Sequence, residues 1–465
     1  MGASIRPAPE SVRWAASELM KKPAPLTAAV WLILLLALAL RIGYVAITPD
    51  YKMVHDARDY DNAAESIARG DGYPTSRGRP TAFRPPAYPV LLAGVYTVAG
   101  VEGASEDDRV RAARILGLFI STLIVALIGV VAAQLWGRRV ALAAMGLAAV
   151  YIPLIVVGAA VMSEPLFAAL LLGALAAAIQ HRRSSHRWRW VLVAGFLGGL
   201  TILTRANALV LLLPLGLAVW TGRPRFSPRS LAAPAVLVVL ALLTVSPWTI
   251  RNAVVFDRFI PVSTQLGSAL AGTYNEQARA DKENPASWRS IGHVPSYQKL
   301  YARLRFIPEP EVEDILAERS KDFIREHPEY VGTVALWTTL RTFELGGLDW
   351  SRHTAGTISV SPGWANAGVI CFWIFALLAL AGATTKAARR APLWVWLVPL
   401  LLYLSVVFLV VETPRYRTGI DPFIVMLAAL AVTQLRRTPR ASEAHAHPPL
   451  DRARYPTSPT DRTPA

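Results

Sequence analysis

His55-Asp56-Ala57-Arg58-Asp59-Tyr60 follows the first long apolar run of this chain, and Phe83-Arg84-Pro85-Pro86-Ala87-Tyr88-Pro89 lies downstream. A carboxylate at the mouth of an apolar bundle, with a cation-proline element after it, can do acid–base chemistry at a lipid surface. Asp56 and Tyr60 stand at i and i+4, so a helical segment puts them on one face. Pro85 and Pro86 fix the local backbone and bias Arg84 towards an extended conformation. From there a guanidinium either snorkels to headgroups or takes one particular lipid phosphate in its fork. Both readings put it beside phosphate. Taken alone, Asp56 also has a bland reading, that of a solvated carboxylate after a span.

Four further positions join these two. Glu164 in Ser163-Glu164-Pro165 opens an apolar stretch, where a carboxylate also suits a helix dipole. Arg205 sits in the tight connection Thr204-Arg205-Ala206-Asn207. Arg251 follows Pro247-Trp248-Thr249-Ile250 at a span exit, a common place for aromatic and basic residues. Glu412-Thr413-Pro414-Arg415-Tyr416-Arg417 packs two arginines and one acid into a short turn, the pattern of an anion site with its own counter-charge, with Arg415 and Arg417 as ligands and Tyr416 in support. Each has a bland alternative. Their convergence favours function, because the topology below sets Asp56, Arg84, Glu164, Arg205, Arg251 and Arg415 at one membrane depth.

The elements that must position them are read from hydropathy. The chain has 465 residues, 53% hydrophobic and 17% charged, against about 25% charged in an ordinary soluble domain. Runs long enough for a helical crossing, about 20 apolar residues, recur throughout. We expect an all-α polytopic membrane protein with ten spans at 26–47, 111–135, 140–158, 162–180, 190–204, 207–221, 231–249, 364–383, 393–411 and 419–435. Two shorter stretches, 86–101 and 331–348, are read as interfacial helices. All acid-free basic loops then collect on one side, at 138–139, 182–189, 223–229, 386–390 and 436–440, which the positive-inside rule makes cytoplasmic.

Both large loops, 48–110 and 251–363, face outwards. The first span is retained, since it is too long for a signal-peptide core. Residues 1–25 are expected to be a cytoplasmic segment and 436–465 a disordered cytoplasmic tail, in which His445 and His447 are solvated. The net charge of +16 falls in short loops and the tail, so no nucleic-acid partner is implied. A single cysteine, Cys371, excludes a disulfide framework. No internal repeat is evident, which weakens a transporter built from inverted repeats.

Together, Asp56 with Tyr60, the Ala-Arg-Gly-Asp-Gly-Tyr stretch ending at Tyr73, Arg84-Pro85-Pro86, Pro247 to Asn252 and Arg415-Tyr416-Arg417 resemble the polytopic GT-C glycosyltransferases. The likeness is to the branch related to protein O-mannosyltransferases and the aminoarabinose transferase of lipid A, and it covers 26–435. What the resemblance implies is inverting transfer of a sugar from a polyprenyl-phosphate carrier to a hydroxyl on the outer face of the plasma membrane. It makes Asp56 the catalytic base, sets Arg84 where the family has a phosphate-binding Lys, Glu164 at a second acid and Arg205 at a basic position. The frequent Asp-Glu pair is Asp56-Ala57 here, and Phe83 stands where some relatives have an acid. No cofactor is therefore expected, with a divalent metal left open.

The chemistry is coherent without the family. A lipid phosphate is already a good leaving group, so one base can activate the acceptor while cations stand in for the acid. The expected partners are a polyprenyl-phosphate sugar, a hydroxyl acceptor in the cell envelope (protein, glycolipid or cell-wall glycan) and membrane lipids. The second loop is expected to choose the acceptor. The alternatives are a transporter or lipid flippase, which would line the span interiors with charge, and a non-catalytic membrane scaffold. The charges of this chain gather at one end.

Overall fold

The computed structural model describes residues 28–76, 79–221, 224, 226–303, 306–408 and 414–435. The expected N-terminal segment, the tail with His445 and His447, and Glu412 lie outside the described residues. Among these residues the chain is helical apart from one hairpin, Thr75–Ser76 against Arg79–Pro80, with Thr75 opposite Pro80. The all-α expectation is met.

Among the described residues, five helices are long and apolar enough to cross a membrane: Ala28–Ala46, Glu106–Trp136, Glu164–His181, Pro228–Phe256 and Pro362–Ala383. The stretch read as one span at 140–158 is two helices, Arg138–Val150 and Ile152–Ala159, bent by 58°. Pro153 explains the break. It cannot donate to the preceding turn, and it suits the first turn of a new helix, which the chain enters through Tyr151 in an extended conformation. The stretches at 207–221, 393–411 and 419–435 contain shorter helical segments, and Ala87–Ala99 and Pro328–Thr342 occupy the two regions read as interfacial.

Side-chain burial is arranged as lipid solvent requires. Trp31, Leu32, Leu35 and Leu36 are exposed on the first helix, whereas Arg41 of the same helix is buried. Its guanidinium donates to the Ala37 carbonyl at 2.9 Å, to the Ala149 carbonyl at 3.3 Å and to Ser121. A charge within a span is tolerated when it faces the bundle and finds such partners. Small residues let the helices approach closely. A Cβ on Gly382 would stand 1.9 Å from the Leu427 carbonyl oxygen, and one on Gly117 would stand 2.2 Å from that of Gly158.

Segments 48–110 and 251–363 pack against each other through Glu309 and Thr81. Glu106–Trp136 begins inside the stretch read as loop, capped by Ser105, whose hydroxyl accepts from the Asp108 amide at 3.3 Å. In segment 251–363 the near-helical spacing of Val312, Ile315, Leu316, Phe323 and Ile324 forms the helix Glu309–Glu326. Val312 and Leu316 bury against Val294, Tyr297 and Leu300. These contacts pack the segment 251–363 on itself.

Candidate active site

Asp56 is the first residue of the helix Asp56–Ala68. The chain enters through His55 at φ 46°, a left-handed conformation that costs a non-glycine residue about 1–3 kcal/mol and is often found at functional positions. Asp56 and Asp59 occupy the first turn, where the helix dipole favours carboxylates. Tyr60, one turn after Asp56, buries edge-on against Tyr88 at 5.1 Å and thereby anchors the helix to Ala87–Ala99.

Both carboxylate oxygens of Asp56 are occupied. Oδ1 accepts from Arg84 Nη2 at 2.5 Å and Oδ2 from Arg415 Nη2 at 2.6 Å. Arg84 also donates to Asp59, through Nη2 at 2.8 Å. Its backbone carbonyl accepts from the Tyr73 hydroxyl at 2.6 Å, while its guanidinium lies over Phe83 at 5.1 Å and Tyr60 at 5.5 Å. The proline-fixed backbone and these rings leave the fork little freedom. Arg415 Nε lies 3.6 Å from Glu164 Oε1, and Arg205 Nη1 lies 2.9 Å from the same oxygen. That oxygen has close cations yet no aligned hydrogen bond.

Six side chains thus form one row of alternating charge: Asp59, Arg84, Asp56, Arg415, Glu164, Arg205. Tyr416 packs beneath its second half, 4.5 Å from Arg205 and 5.2 Å from Arg415. Ser163 links the row to the helix Asp56–Ala68, its hydroxyl 3.0 Å from the Tyr60 hydroxyl and 3.4 Å from Arg205 Nη1. The Asp56 side chain keeps 22% of its surface exposed and those of Arg84 and Arg415 keep 16% and 11%, so all three can be reached by a ligand.

The electrostatics follow from this geometry. Burial alone would raise the Asp56 pKa, but the guanidinium groups of Arg84 and Arg415 outweigh it and hold the carboxyl well below the usual carboxylate range. In this state Asp56 is an anion with little appetite for a proton. Burial pushes the Tyr60 phenol above its ordinary value, which keeps it a neutral hydrogen-bonding group. Among the described residues, no three His, Cys, Asp or Glu side chains gather in a way that could hold a metal ion.

Of the residues singled out in the sequence, Asp56, Arg84, Glu164, Arg205 and Arg415 come together, with Tyr60 and Tyr416 against them. Two stand apart. Arg417, expected to bind phosphate, is 1% exposed. Its Nε is 2.7 Å from Asp421 and its Nη1 donates to the Thr342 carbonyl at 2.6 Å. With Glu344 at 3.7 Å and Phe372 3.7 Å below, its donors face the bundle interior. Arg251 lies over Trp248 at 4.9 Å and donates to the Thr81 carbonyl at 3.0 Å. It also lies over the ring of Tyr73, so it supports the Arg84 backbone through that tyrosine.

Sequence reasoning missed two contributors. Asp59 is the second partner of Arg84, and its i+3 spacing from Asp56 was the available signal. Glu309 accepts from Thr81 Oγ1 at 2.5 Å, the Ala82 amide at 2.9 Å and Thr264 Oγ1 at 2.7 Å. It ties the Arg84 segment to segment 251–363. Nothing local to position 309 announces a partner in a segment so distant along the chain.

Comparison with known proteins bears on this arrangement. Residues 84–250 match the family described as dolichyl-phosphate-mannose-protein mannosyltransferase, an interval that opens on Arg84 and includes Glu164 and Arg205. The archaeal oligosaccharyltransferase AglB of Archaeoglobus fulgidus, solved with an inhibitory peptide and a dolichol-phosphate, superposes with a TM-score of 0.50 at 12% identity, covering 87% of this chain and 50% of that one. The apo form of the oligosaccharyltransferase from the same organism gives 0.51 at 13% identity, covering 88% and 50%. ArnT from Cupriavidus metallidurans bound to undecaprenyl phosphate gives 0.41 at 17% identity, covering 88% and 79%. No curated protein matches the chain significantly. This chain therefore spans half the length of the archaeal enzyme whose fold it shares. The likeness to the GT-C glycosyltransferases rests on both the matched interval and the fold, and the chain is an integral membrane protein.

Proposed function

We propose that this protein transfers a sugar, with inversion, from a polyprenyl-phosphate carrier to a hydroxyl acceptor on the extracytoplasmic face of the plasma membrane. The observation that carries this reading is Asp56 clamped between Arg84 and Arg415. A carrier phosphate is a better ligand for two guanidinium groups than one aspartate, since it offers more oxygens and more charge. When phosphate takes those donors, the Asp56 carboxylate loses the partners that depress its proton affinity. Carrier binding thereby converts a locked ion into a base.

The displacement balances simply. An acceptor hydroxyl gives its proton to Asp56 as its oxygen bonds to the anomeric carbon from the face opposite the phosphate. The bond from that carbon to the phosphate oxygen breaks, and the electron pair leaves on phosphate. Arg84 and Arg415 stabilise the charge that develops there, in surroundings of reduced dielectric where such contacts count most. Arg205 adds positive charge behind Arg415, and Glu164 keeps the two arginines apart. Arg417 is left out of this scheme. Its role is to fix the turn that presents Arg415.

The sidedness rests on charge distribution. Glu164 opens the helix Glu164–His181 and Arg182 follows its last residue, which puts the site and the basic 182–189 loop at opposite ends of a span about 27 Å long. The basic end is cytoplasmic by the positive-inside rule. AglB was solved in complex with a dolichol-phosphate, and its shared fold supports a lipid-phosphate donor for this chain.

The test is Asp56→Asn in the purified full chain supplied with a sugar-loaded polyprenyl phosphate. Loss of proton acceptance should lower turnover by about 100- to 10,000-fold with expression unchanged. Turnover at the native rate would mean that Asp56 is not the base.

A further inference from the structure

A cavity of about 590 Å³ opens where the first outer segment meets the second, with Asp59 and Arg84 on one wall and Trp288, Tyr301 and Glu313 on the others. Its size falls in the range of about 300–1,000 Å³ typical of small-molecule sites. Nothing in the scheme above uses it, although it shares two side chains with the charged row. We propose that it binds a sugar ring of the acceptor, so that this enzyme glycosylates a carbohydrate. The proposal rests on the glycosyltransferase reading and names the acceptor class.

A sugar ring has an apolar face of C–H groups and a rim of hydroxyls. It is held by an aromatic face together with planar side chains that take adjacent hydroxyls. The cavity supplies both. Trp288 Nε1 donates to the Ser268 carbonyl at 3.3 Å, and a Cβ on Gly272 would stand 2.1 Å from the same nitrogen. A Cβ on Gly292 would likewise stand 3.1 Å from the ring of Tyr301. Both aromatic residues are thus backed by a glycine, where any larger residue would push the ring away. Opposite them, Asp59 and Asn62 line the cavity from the helix that begins with Asp56. Glu313 accepts from the Ser268 amide at 2.7 Å and from its hydroxyl. Burial pushes its carboxyl up to about 7, so near neutrality it is partly protonated and able to donate to a hydroxyl.

A peptide acceptor fits less well. Extended peptides are commonly held by adding a strand to a sheet edge, and the only sheet among the described residues has two strands of two residues. The donor sugar would also satisfy the chemistry of the cavity. It must lie beside the carrier phosphate, however, and of the row only Asp59 and Arg84 line this cavity, whereas Arg415, Glu164 and Arg205 do not. Of the two arginines assigned to the carrier phosphate, Arg84 alone borders the cavity.

The experiment titrates the purified full chain with a panel of methyl hexopyranosides and pentofuranosides, read by saturation-transfer NMR, alone and with saturating undecaprenyl phosphate. At least one glycoside should bind in both conditions. Trp288→Ala and Gly272→Val should each weaken it by about tenfold or more, the loss expected when a ring contact is removed, with carrier affinity within about twofold of the native protein. Tyr301→Ala gives a third reading should Gly272→Val fail to fold. No binding across the panel overturns the proposal, as does glycoside binding that survives Trp288→Ala and Tyr301→Ala. Displacement by the sugar-loaded carrier but not by bare undecaprenyl phosphate overturns it in favour of a donor-sugar site. Failure of the glycosyltransferase reading would appear separately, as absence of carrier binding in the native protein.

Discussion

Arg415 and Arg417 stand two residues apart in the short helical turn Pro414–Gly419, and each is paired with carboxylates, yet they belong to different kinds of site. Arg417 is enclosed by Asp421, Glu344, the Thr342 carbonyl and the ring of Phe372. Arg415 bridges Asp56 and Glu164 at the edge of an accessible row. The helix Asp56–Ala68 repeats the contrast. Asp61 is buried and takes both Arg109 Nε and Nη2 at 2.9 Å with the Tyr96 hydroxyl at 2.7 Å, whereas Asp56 five residues earlier shares two cations that a ligand can reach. A saturated buried pair stabilises a shape. A row whose inner members each serve two partners can exchange one of them for substrate.

Removing one partner should separate the two kinds most strongly at Arg417. Arg417→Ala strands Asp421 and Glu344 without their cation, and breaking a buried pair in this way costs about 3–5 kcal/mol. Its thermal midpoint in detergent should collapse or the protein should fail to accumulate. Arg415→Ala should fold normally but lose carrier affinity by about 10- to 150-fold, the worth of one or two charge-assisted hydrogen bonds, measured by direct polyprenyl-phosphate binding. Equal folding defects in both variants would erase the distinction.

Arg84→Lys is the milder probe. Charge survives while the fork shared by Asp56 and Asp59 is lost, so carrier binding should weaken by about tenfold and transfer should persist at a reduced rate. Native affinity in this variant would return Arg84 to a headgroup contact.

The smallest effect concerns Glu313, a buried carboxyl in the wall of the cavity beside the row. Burial raises its pKa from 4.5 to about 7, and nearby Glu309 adds to the rise, while hydrogen bonds from Ser268 oppose it. The folded state therefore holds this proton more tightly than the unfolded chain does. That stabilisation is complete below about pH 4.5 and is lost as pH rises through about 7. The native thermal midpoint should fall between about pH 5 and pH 8, and Glu313→Gln should flatten that component of the slope.

Much of this was legible because hydropathy is a long-range signal written locally. Each apolar stretch read as a span falls on helical structure, since a lipid-facing segment must satisfy its backbone internally. The break at Tyr151 is written in the sequence as Ile152-Pro153, but apolar content continues through it and hides the bend. Asp56, Arg84, Glu164, Arg205 and Arg415 were found by residue type at the ends of apolar runs. Arg417 looked equivalent to Arg415 because a sequence does not say which of two arginines in a tight turn faces the bundle. Asp59 was marked only by its i+3 spacing from Asp56, while Glu309 and the aromatic residues of the cavity depend on how two distant segments dock, and that docking has no periodicity to read.

The central claim is that Asp56 competes with the carrier phosphate for Arg84 and Arg415 and becomes a base only when it loses. Side-by-side measurement of polyprenyl-phosphate affinity and of sugar transfer in Asp56→Asn tests it most directly. Removing the competing charge should tighten carrier binding while transfer falls by about 100-fold or more. Weaker carrier binding together with native turnover would contradict it.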